Sequence, residues 1–297
     1  MTSPPEMSLR QRLTDLTEQL GGYRGILVAF SGGADSAFLL AAAARSEAEV
    51  LAATSTSASL ASGEWAAASK FARNLGVEHI RIDSRELDRE GYRANGPDRC
   101  YHCKSELLDI LVDVAQQRDL ATVATGTNAD DVAQEHRPGL LAAQERKIVT
   151  PLADAGFSKT EVREASRLWG LSTWDKPQAA CLASRIAYGV SVDEERLRRI
   201  DRAEVAVRAA LGRAGITSTN LRVRDRGDSA LIEVDYSVVA EAIAEPTVVT
   251  AVLEAGFSTA EIDPRGFRSG SMNSDLLPEQ QIRLGSGVSS WNLPFVD

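Results

Sequence analysis

Short apolar stretches separated by helix-length segments are the feature that most limits how this chain can fold. Four of them, "ILVAF", "VLAAT", "HIRID" and "ATVAT", lie at residues 26–30, 50–54, 79–83 and 121–125. Each stretch suits one strand, and each gap is long enough for a helix that crosses back over the sheet. This alternation is typical of a parallel sheet with helices on both faces. We therefore predict an α/β fold.

The segments around these strands have the periodicity and the caps of helices. Five apolar residues of "KSELLDILVDVAQQ" share one stripe at helical spacing: Leu107, Leu108, Leu111, Val114 and Ala115. The segment "SKTEVREASRLWG" starts with Ser158 as N-cap and Glu161 at the capping-box position. Both segments are predicted to be helices.

The pattern changes near residue 189. A charged amphipathic helix over residues 193–212 is followed by an alternating hairpin pattern in "LRVRDRGDSALIEVD", a helix around "TVVTAVLEAGF" and a short strand "AEID". Strands and helices in this order are typical of an α+β domain. We therefore expect a first domain over residues 1–188, a smaller α+β domain over 189–273, and a tail over 274–297.

The string "SGGADS" begins where the first predicted strand ends and enters a predicted helix near Asp35. Ligands bind at this edge of an α/β sheet because strand ends and helix N-termini meet there. Gly32 and Gly33 allow a tight turn with N–H groups near a ligand, while Ser31 and Ser36 offer hydroxyl donors. The string predicts a phosphate site, although it lacks the lysine of the common nucleoside-triphosphate loop.

These six residues resemble the PP-loop of ATP pyrophosphatases. The resemblance implies that ATP is attacked at the α-phosphorus, that an acceptor oxygen is adenylated, and that pyrophosphate leaves. It also implies that Asp35 assists Mg²⁺, which offsets charge on the leaving group. A carboxylate at a helix start is stabilised by the helix dipole as well, and the two roles are compatible.

A second polar string, "TGTNADD", follows the fourth predicted strand and faces the same edge. Gly126 and Thr127 are predicted to approach the nucleotide. Asp130 and Asp131 have two alternatives, a contact with Mg²⁺ or a cap on the next helix. Arg137 is a candidate partner for phosphate or carboxylate, with a surface ion pair as its alternative.

The three cysteines of the chain lie in "PDRCYHCK" and "DKPQAACLASRIAYG". Cys100 and Cys103 form a C-x-x-C pair on a predicted loop entering a helix, a spacing typical of metal or redox sites. A structural zinc site would need further ligands, and the histidines of the chain are His79, His102 and His136. A metal site and a redox dithiol therefore both stay open.

The composition limits the partners and the location. The net charge is −9, with 42 acidic against 33 basic residues, so nucleic-acid binding is not predicted. The apolar runs are shorter than the roughly 18 residues that cross a bilayer, and the N-terminus lacks the apolar centre of a secretory signal. We therefore expect a cytoplasmic protein that acts away from membranes.

Several strings, in chain order, together resemble LarE-type ATP-dependent sulfur transferases: "SGGADS", "DRCYHCK", "GTNADD", "RPG", "PLADAGFSKTEVR", "DKPQAACLASRIAYG" and "GFRSGSMN". The resemblance implies adenylation of a carboxylate of pyridinium-3,5-biscarboxylate mononucleotide and replacement of AMP by sulfur, twice, in nickel-pincer cofactor biosynthesis. It also implies a homo-oligomer. Its first domain would bind ATP, and its second domain would bind substrate or mediate association.

The cysteines decide which type of the family the chain resembles. Cys181 matches the cysteine that gives up its sulfur in single-cysteine members and is left as dehydroalanine. This chain also has Cys100 and Cys103, as do members whose thiolates hold a 4Fe-4S cluster that carries sulfur from a sulfide donor. The resemblance thus implies a cluster on Cys100, Cys103 and Cys181, with sacrifice of Cys181 as the alternative.

Arginine forks match phosphate and carboxylate bidentately. Arg185, Arg222, Arg224 and Arg268 are therefore candidates for binding the substrate. The resemblance supports Arg268 in "DPRGFRSGSMN", while the choice between Arg222 and Arg224 stays open.

Two other functions fit parts of the pattern. A tRNA thiolase of the PP-loop type also adenylates oxygen, but the acidic composition and the absence of a second C-x-x-C count against it. A non-catalytic ATP-sensing module would leave the three cysteines without a purpose.

Overall fold

The computed structural model describes residues 8–133, 138–177 and 180–268. The first part of the chain forms strands β1 (Gly25–Ala29), β2 (Glu49–Thr56), β3 (Glu78–Asp83) and β4 (Thr122–Thr125). They make one sheet in the order β3-β2-β1-β4, and every neighbouring pair is parallel. The predicted parallel sheet is confirmed, with strand ends that differ by one or two residues.

Helices cover both faces of this sheet, as predicted. They are α1 (Leu9–Gly21), α2 (Ala34–Ala43), α3 (Glu64–Asn74), α4 (Glu90–Arg93), α5 (Arg99–Gln117), α6 (Ala129–Val132), α7 (Pro138–Glu145), α8 (Pro151–Asp154) and α9 (Lys159–Leu168). On one face, α2 and α9 bury Phe38 and Val162 against Val28. On the other face, α5 buries Leu108 against Leu27. Alternate residues of β1 thus serve two cores, as expected for a strand buried on both sides.

Local sequence signals account for the helix ends. The capping box at the start of α9 is present: the Ser158 hydroxyl accepts from the Glu161 N–H at 3.3 Å, and the Glu161 carboxylate accepts from the Ser158 N–H at 2.8 Å. In α5, the predicted stripe is buried at Leu108, Leu111 and Ala115. Helix α5 starts at Arg99, earlier than predicted, so Cys100 lies in its first turn and Cys103 at the start of its second, and neither lies in a loop.

The second part of the chain is an α+β unit with its own sheet. It contains α10 (Glu194–Arg213), β5 (Leu221–Asp225), β6 (Ser229–Val234), α11 (Val239–Ala244), α12 (Pro246–Glu254) and β7 (Thr259–Ile262). Strands β5 and β6 form the predicted antiparallel hairpin, and β7 pairs with β6 in parallel. Its core also takes in Leu182, Ala183 and Ile186 from before the predicted boundary at residue 189. That boundary stays a prediction, and the tail over 274–297 lies outside the described residues.

Within the described ranges, no single helix has the length and apolar composition needed to cross a membrane. One pair, Tyr236–Ala244 and Pro246–Glu254, meets those limits only when its two helices are taken together across an 83° bend.

A buried asparagine joins the two parts. Asn95 is fully buried, and its φ of 54° lies in the left-handed region, which asparagine tolerates better than most residues. Its side-chain amide donates to the carbonyl oxygens of Ala187 and Val190 at 2.8 Å each. Its side-chain oxygen accepts from Arg99 of α5. These bonds fix the segment between Cys181 and α10 against the start of α5.

Replacing this asparagine tests its role as a junction. Asn95→Ala leaves buried carbonyls without donors and puts alanine in a left-handed conformation, so we expect the free energy of unfolding to fall by about 2–4 kcal/mol. Urea denaturation measures this loss, and Asn74→Ala, at the exposed end of α3, is the control. Equal stability of the two variants would contradict the junction role.

Candidate functional site

A cavity of about 1230 Å³ lies at the carboxyl edge of the parallel sheet. Its floor is formed by the residues that follow β1, β2 and β4, including Ser31, Ser57 and Thr127. Its other walls come from the start of α5, the segment around Cys181, and α10 and β5 of the second part. The cavity therefore joins the two parts of the chain, in the position where α/β sheets bind ligands.

The "SGGADS" turn presents backbone donors to this cavity. Gly32 has a φ of 73°, and Gly33 is the N-cap of α2 without a side-chain cap. The N–H groups at the start of α2 therefore stay available for an anion, which the helix dipole also favours. The Ser31 and Ser36 hydroxyls lie 3.0 Å apart at the same turn. Ser31, Gly33, Asp35 and Ser36 line the cavity, whereas Gly32 does not.

The loop after β4 packs against this turn backbone to backbone. A Cβ added at Gly126 would lie 2.7 Å from the Ser36 nitrogen and 2.8 Å from the Asp35 carbonyl carbon. Only glycine fits this approach without a shift of one of the two loops. The Thr127 hydroxyl lies 3.1 Å from that of Thr125, and both face the cavity.

Asp35 is held in place at the cavity wall. Its Oδ1 accepts from the Asn128 amide at 3.2 Å, and its Oδ2 lies 3.7 Å from Nζ of Lys159. The neighbouring aspartates have capping contacts: Asp131 completes a capping box with Asn128, and Asp130 accepts from the Lys159 backbone N–H at 2.8 Å. Of these three aspartates, Asp35 and Asp131 line the cavity, whereas Asp130 does not.

The three cysteines line the same cavity. Cys100 and Cys181 are exposed, and Cys103 is half-buried. Burial raises the pKa of the Cys103 thiol far above its ordinary value, and the negative charges of Cys181, Glu86 and Cys100 add to the rise. The thiols are thus close enough to influence one another. In the part of the chain that the structure describes, however, no three His, Cys, Asp or Glu side chains are gathered as they would be around a metal ion.

A network of backbone contacts sets the position of Cys181. Arg99 is buried in the first turn of α5 and donates to the Ala183 carbonyl at 2.9 Å. The Leu182 N–H donates to the Ser59 carbonyl at 2.9 Å. Arg185 donates to the carbonyl of Cys181 at 3.0 Å. Cys181 therefore lies on a segment anchored from three sides, opposite the Cys100 and Cys103 pair.

The four candidate arginines separate into two pairs. Arg185 and Arg222 line the cavity, whereas Arg224 and Arg268 do not. Arg224 is buried and binds Glu233 at 2.7 Å, and Arg268 lies 3.5 Å from Asp263. The structure thus does not bring Arg224 and Arg268 to the cavity, because their guanidinium groups are engaged by carboxylates elsewhere.

Arg185 and Arg222 differ in how their charges are balanced. Arg185 binds Glu204 through two donors, at 2.9 and 3.2 Å. Burial, and then the charge of Arg185, lower the pKa of Arg222 to about 10, so this half-buried guanidinium is protonated at neutral pH. Its position in the cavity wall suits contact with an anionic group.

Sequence reasoning missed several residues of the cavity. Among them are Arg208 of α10, which lines it beside Arg222, and Lys159, which lies next to it at the "SGGADS" turn. Both belong to charged segments typical of a solvated surface, so only the tertiary contacts identify them. Lys176, in the segment before Cys181, lines the cavity and contacts the same turn. Arg137 and His136 lie outside the described residues.

Comparisons with known proteins bear on this arrangement. The family model of the queuosine biosynthesis protein QueC matches residues 25–95, which include the "SGGADS" turn, called the phosphate turn below. An uncharacterised protein of Synechocystis sp. is 35% identical over 269 residues, 89% of this chain and 98% of that protein. Pyridinium-3,5-bisthiocarboxylic acid mononucleotide synthase of Lactiplantibacillus plantarum is 29% identical over 276 residues, 92% of this chain and 98% of that protein. An uncharacterised protein of Methanocaldococcus jannaschii is 28% identical over 196 residues, 66% of this chain and 71% of that protein.

Arg222 and Arg224 provide a matched pair of substitutions on one strand. Arg224→Met leaves the buried Glu233 carboxylate without its partner, so we expect the free energy of unfolding to fall by about 3–5 kcal/mol. Arg222→Met removes a half-buried cation whose charged form is already disfavoured by burial and by Arg185, so we expect a much smaller loss of stability. Urea denaturation of both variants checks this contrast. A larger loss for Arg222→Met would show that its charge is structural.

Proposed function

Because this chain belongs to the LarE-type sulfur transferases of the PP-loop superfamily, we propose that it converts pyridinium-3,5-biscarboxylate mononucleotide to its thiocarboxylate in nickel-pincer cofactor biosynthesis. Membership of this family supports the assignment of the chain as an enzyme of ATP-dependent sulfur transfer. The observation that carries the finer proposal is one cavity lined by the "SGGADS" turn, the three cysteines and Arg222.

The first step is adenylation. A substrate carboxylate oxygen attacks the α-phosphorus of ATP, the new O–P bond forms, and the bond from the α-phosphorus to the bridging oxygen breaks, releasing pyrophosphate. The N–H groups of the first turn of α2 stabilise the leaving anion. Asp35 would hold the Mg²⁺ that such ATP chemistry uses, and Asn128 keeps its carboxylate oriented.

The second step is sulfur transfer. A sulfur nucleophile attacks the activated carbonyl carbon, the C–S bond forms, and AMP leaves with the oxygen. Cys181 lies in the same cavity as the phosphate turn, on a segment anchored by Arg99 and Arg185. This anchoring supports a fixed position for the sulfur relative to the activated carbon, which lowers the entropic part of the barrier.

The end of the cavity formed by the second part suits the anionic groups of the substrate. Arg222 and Arg208 line it, and their guanidinium groups match phosphate and carboxylate. Arg185 is largely used by Glu204 and by the backbone around Cys181. In this proposal Arg222 and Arg208 bind the substrate and Arg185 positions Cys181.

Cys100, Cys103 and Cys181 would hold a 4Fe-4S cluster. The donors fit in kind, because three thiols line one cavity, although the described side chains are not gathered as they would be around a bound metal. A cluster bound there normally takes four thiolates, so three would leave one iron able to carry the extra sulfide. Release of sulfur from Cys181 itself is the alternative.

The reaction products test the adenylation step. With ATP, Mg²⁺ and the dicarboxylate nucleotide, we expect AMP and pyrophosphate, and formation of ADP would overturn the proposal. Asp35→Asn should lower turnover about a hundredfold or more, because metal stabilisation of the leaving group is worth several kcal/mol. Chromatography of the nucleotides measures both. Asp113→Asn, exposed on α5 and outside the cavity, is the control.

The cysteines are tested by iron content and by mass. After anaerobic purification, we expect bound iron and sulfide in the unaltered chain and their loss in both Cys100→Ala and Cys103→Ala, with activity lost in parallel. Cys181→Ala should be inactive under either sulfur source. Loss of about 34 Da at Cys181 after turnover, with Cys100→Ala fully active, would overturn the cluster and favour sacrifice of Cys181.

A further inference from the structure

The phosphate turn carries no lysine, yet a triphosphate brings several negative charges to it. Backbone N–H groups supply partial charges, and common nucleoside-triphosphate loops add an ammonium from the same loop. Among the described residues, two lysines from later in the chain reach this turn, Lys159 and Lys176. Lys159 lies 3.7 Å from Asp35 and is accounted for by this ion pair. The role of Lys176 is not explained by such a contact with the turn.

Lys176 crosses the cavity edge to the centre of the turn. Its Nζ donates to the Gly32 carbonyl at 3.0 Å and to Oε2 of Glu64 at 2.7 Å. The two side chains are only 22% and 24% exposed, and both line the cavity. An ammonium has three N–H donors, and the described residues take two of them.

The backbone of Lys176 is held by hydrogen bonds, so the fold defines where its side chain begins. Arg163 of α9 donates to the carbonyls of Lys176 at 3.0 Å and of Trp174 at 3.2 Å. The Lys176 N–H donates to the Thr173 carbonyl at 3.1 Å. These bonds hold the base of the side chain on the first part while its ammonium extends over the turn.

The partner of Lys176 is replaceable by an anion. Glu64 lies in the first turn of α3, where the helix dipole stabilises its carboxylate without help from Lys176. A carboxylate carries one charge, whereas the β- and γ-phosphates of ATP carry more, so a bound triphosphate competes favourably for the ammonium. Glu64 thus accepts a hydrogen bond from the Lys176 ammonium that a bound phosphate would take over.

We propose that Lys176 supplies the ammonium that the turn lacks. It exchanges its contact with Glu64 for contacts with the β- and γ-phosphates of ATP, and then with the departing pyrophosphate. This proposal rests on the proposed function and adds to it a phosphate-contacting residue from another segment. The carbonyl of Gly32 keeps the ammonium at the turn in both states. Lys176 therefore stabilises the leaving group and not the adenosine part of ATP.

Calorimetry with three probes tests the contact. The probes are Mg²⁺–pyrophosphate, Mg²⁺–ATP and AMP. Lys176→Met should weaken pyrophosphate and ATP binding about ten- to a hundredfold, the usual worth of a charge-assisted contact, and leave AMP binding unchanged. Lys70→Met, exposed on α3 and outside the cavity, is the charge-matched control and should bind all three as the unaltered chain does.

Glu64→Gln separates a phosphate contact from a structural ion pair. If Lys176 exchanges Glu64 for phosphate, removing the competing carboxylate should strengthen pyrophosphate binding severalfold, opposite to Lys176→Met. If the pair is only structural, both variants should lose stability and affinity together, which would overturn the inference.

Different results would contradict the proposed function and the role of Lys176. Absence of ATP binding by the unaltered chain would overturn the proposed function. Normal ATP and pyrophosphate binding by Lys176→Met would overturn only the role of Lys176.

Discussion

The parallel pairing of β1 with β2 and β4 is the constraint on which the rest of the molecule depends. Parallel strands end at the same edge, so the turn after β1, the polar residues after β2 and the loop after β4 meet there. The contact between Gly126 and the backbone of Asp35 and Ser36 is a direct result. If β4 were shifted by one residue against β1, these loops would no longer meet and the floor of the cavity would be formed by other residues.

The charges of the cavity are divided between its two ends. Lys159, Lys176 and the N-terminus of α2 face the phosphate turn, and Arg208 and Arg222 stand on the second part. The overall charge of −9 does not reveal this arrangement, because it sums residues over the whole chain. Two separate groups of cations in one cavity fit the proposed reaction between a nucleoside triphosphate and an anionic partner.

Buried carboxylates distinguish arginines that hold the structure together from those available to a ligand. Glu233 engages Arg224, and Asp225 binds both Arg196 and Arg199, at 3.0 and 2.6 Å. Arg222, two residues from Arg224 on the same strand, lines the cavity, whereas Arg224 does not. Because residues two apart on a strand share a face, alternation does not separate the two arginines; the contact of Arg224 with the buried Glu233 does.

The sequence by itself determined the parallel sheet, the helices on both of its faces, the hairpin of the second part and the phosphate turn. These follow from signals that are local along the chain: apolar periodicity, a capping box at Ser158 and Glu161, and glycines at a strand end. Tertiary structure alone decided which distant side chains share the cavity. Lys176 meets Gly32, Arg222 faces the cavity while Arg224 does not, and Asn95 fixes the segment after Cys181. Such contacts depend on how the two parts pack and on which carboxylate reaches each cation first, and neither is encoded within a short stretch of sequence.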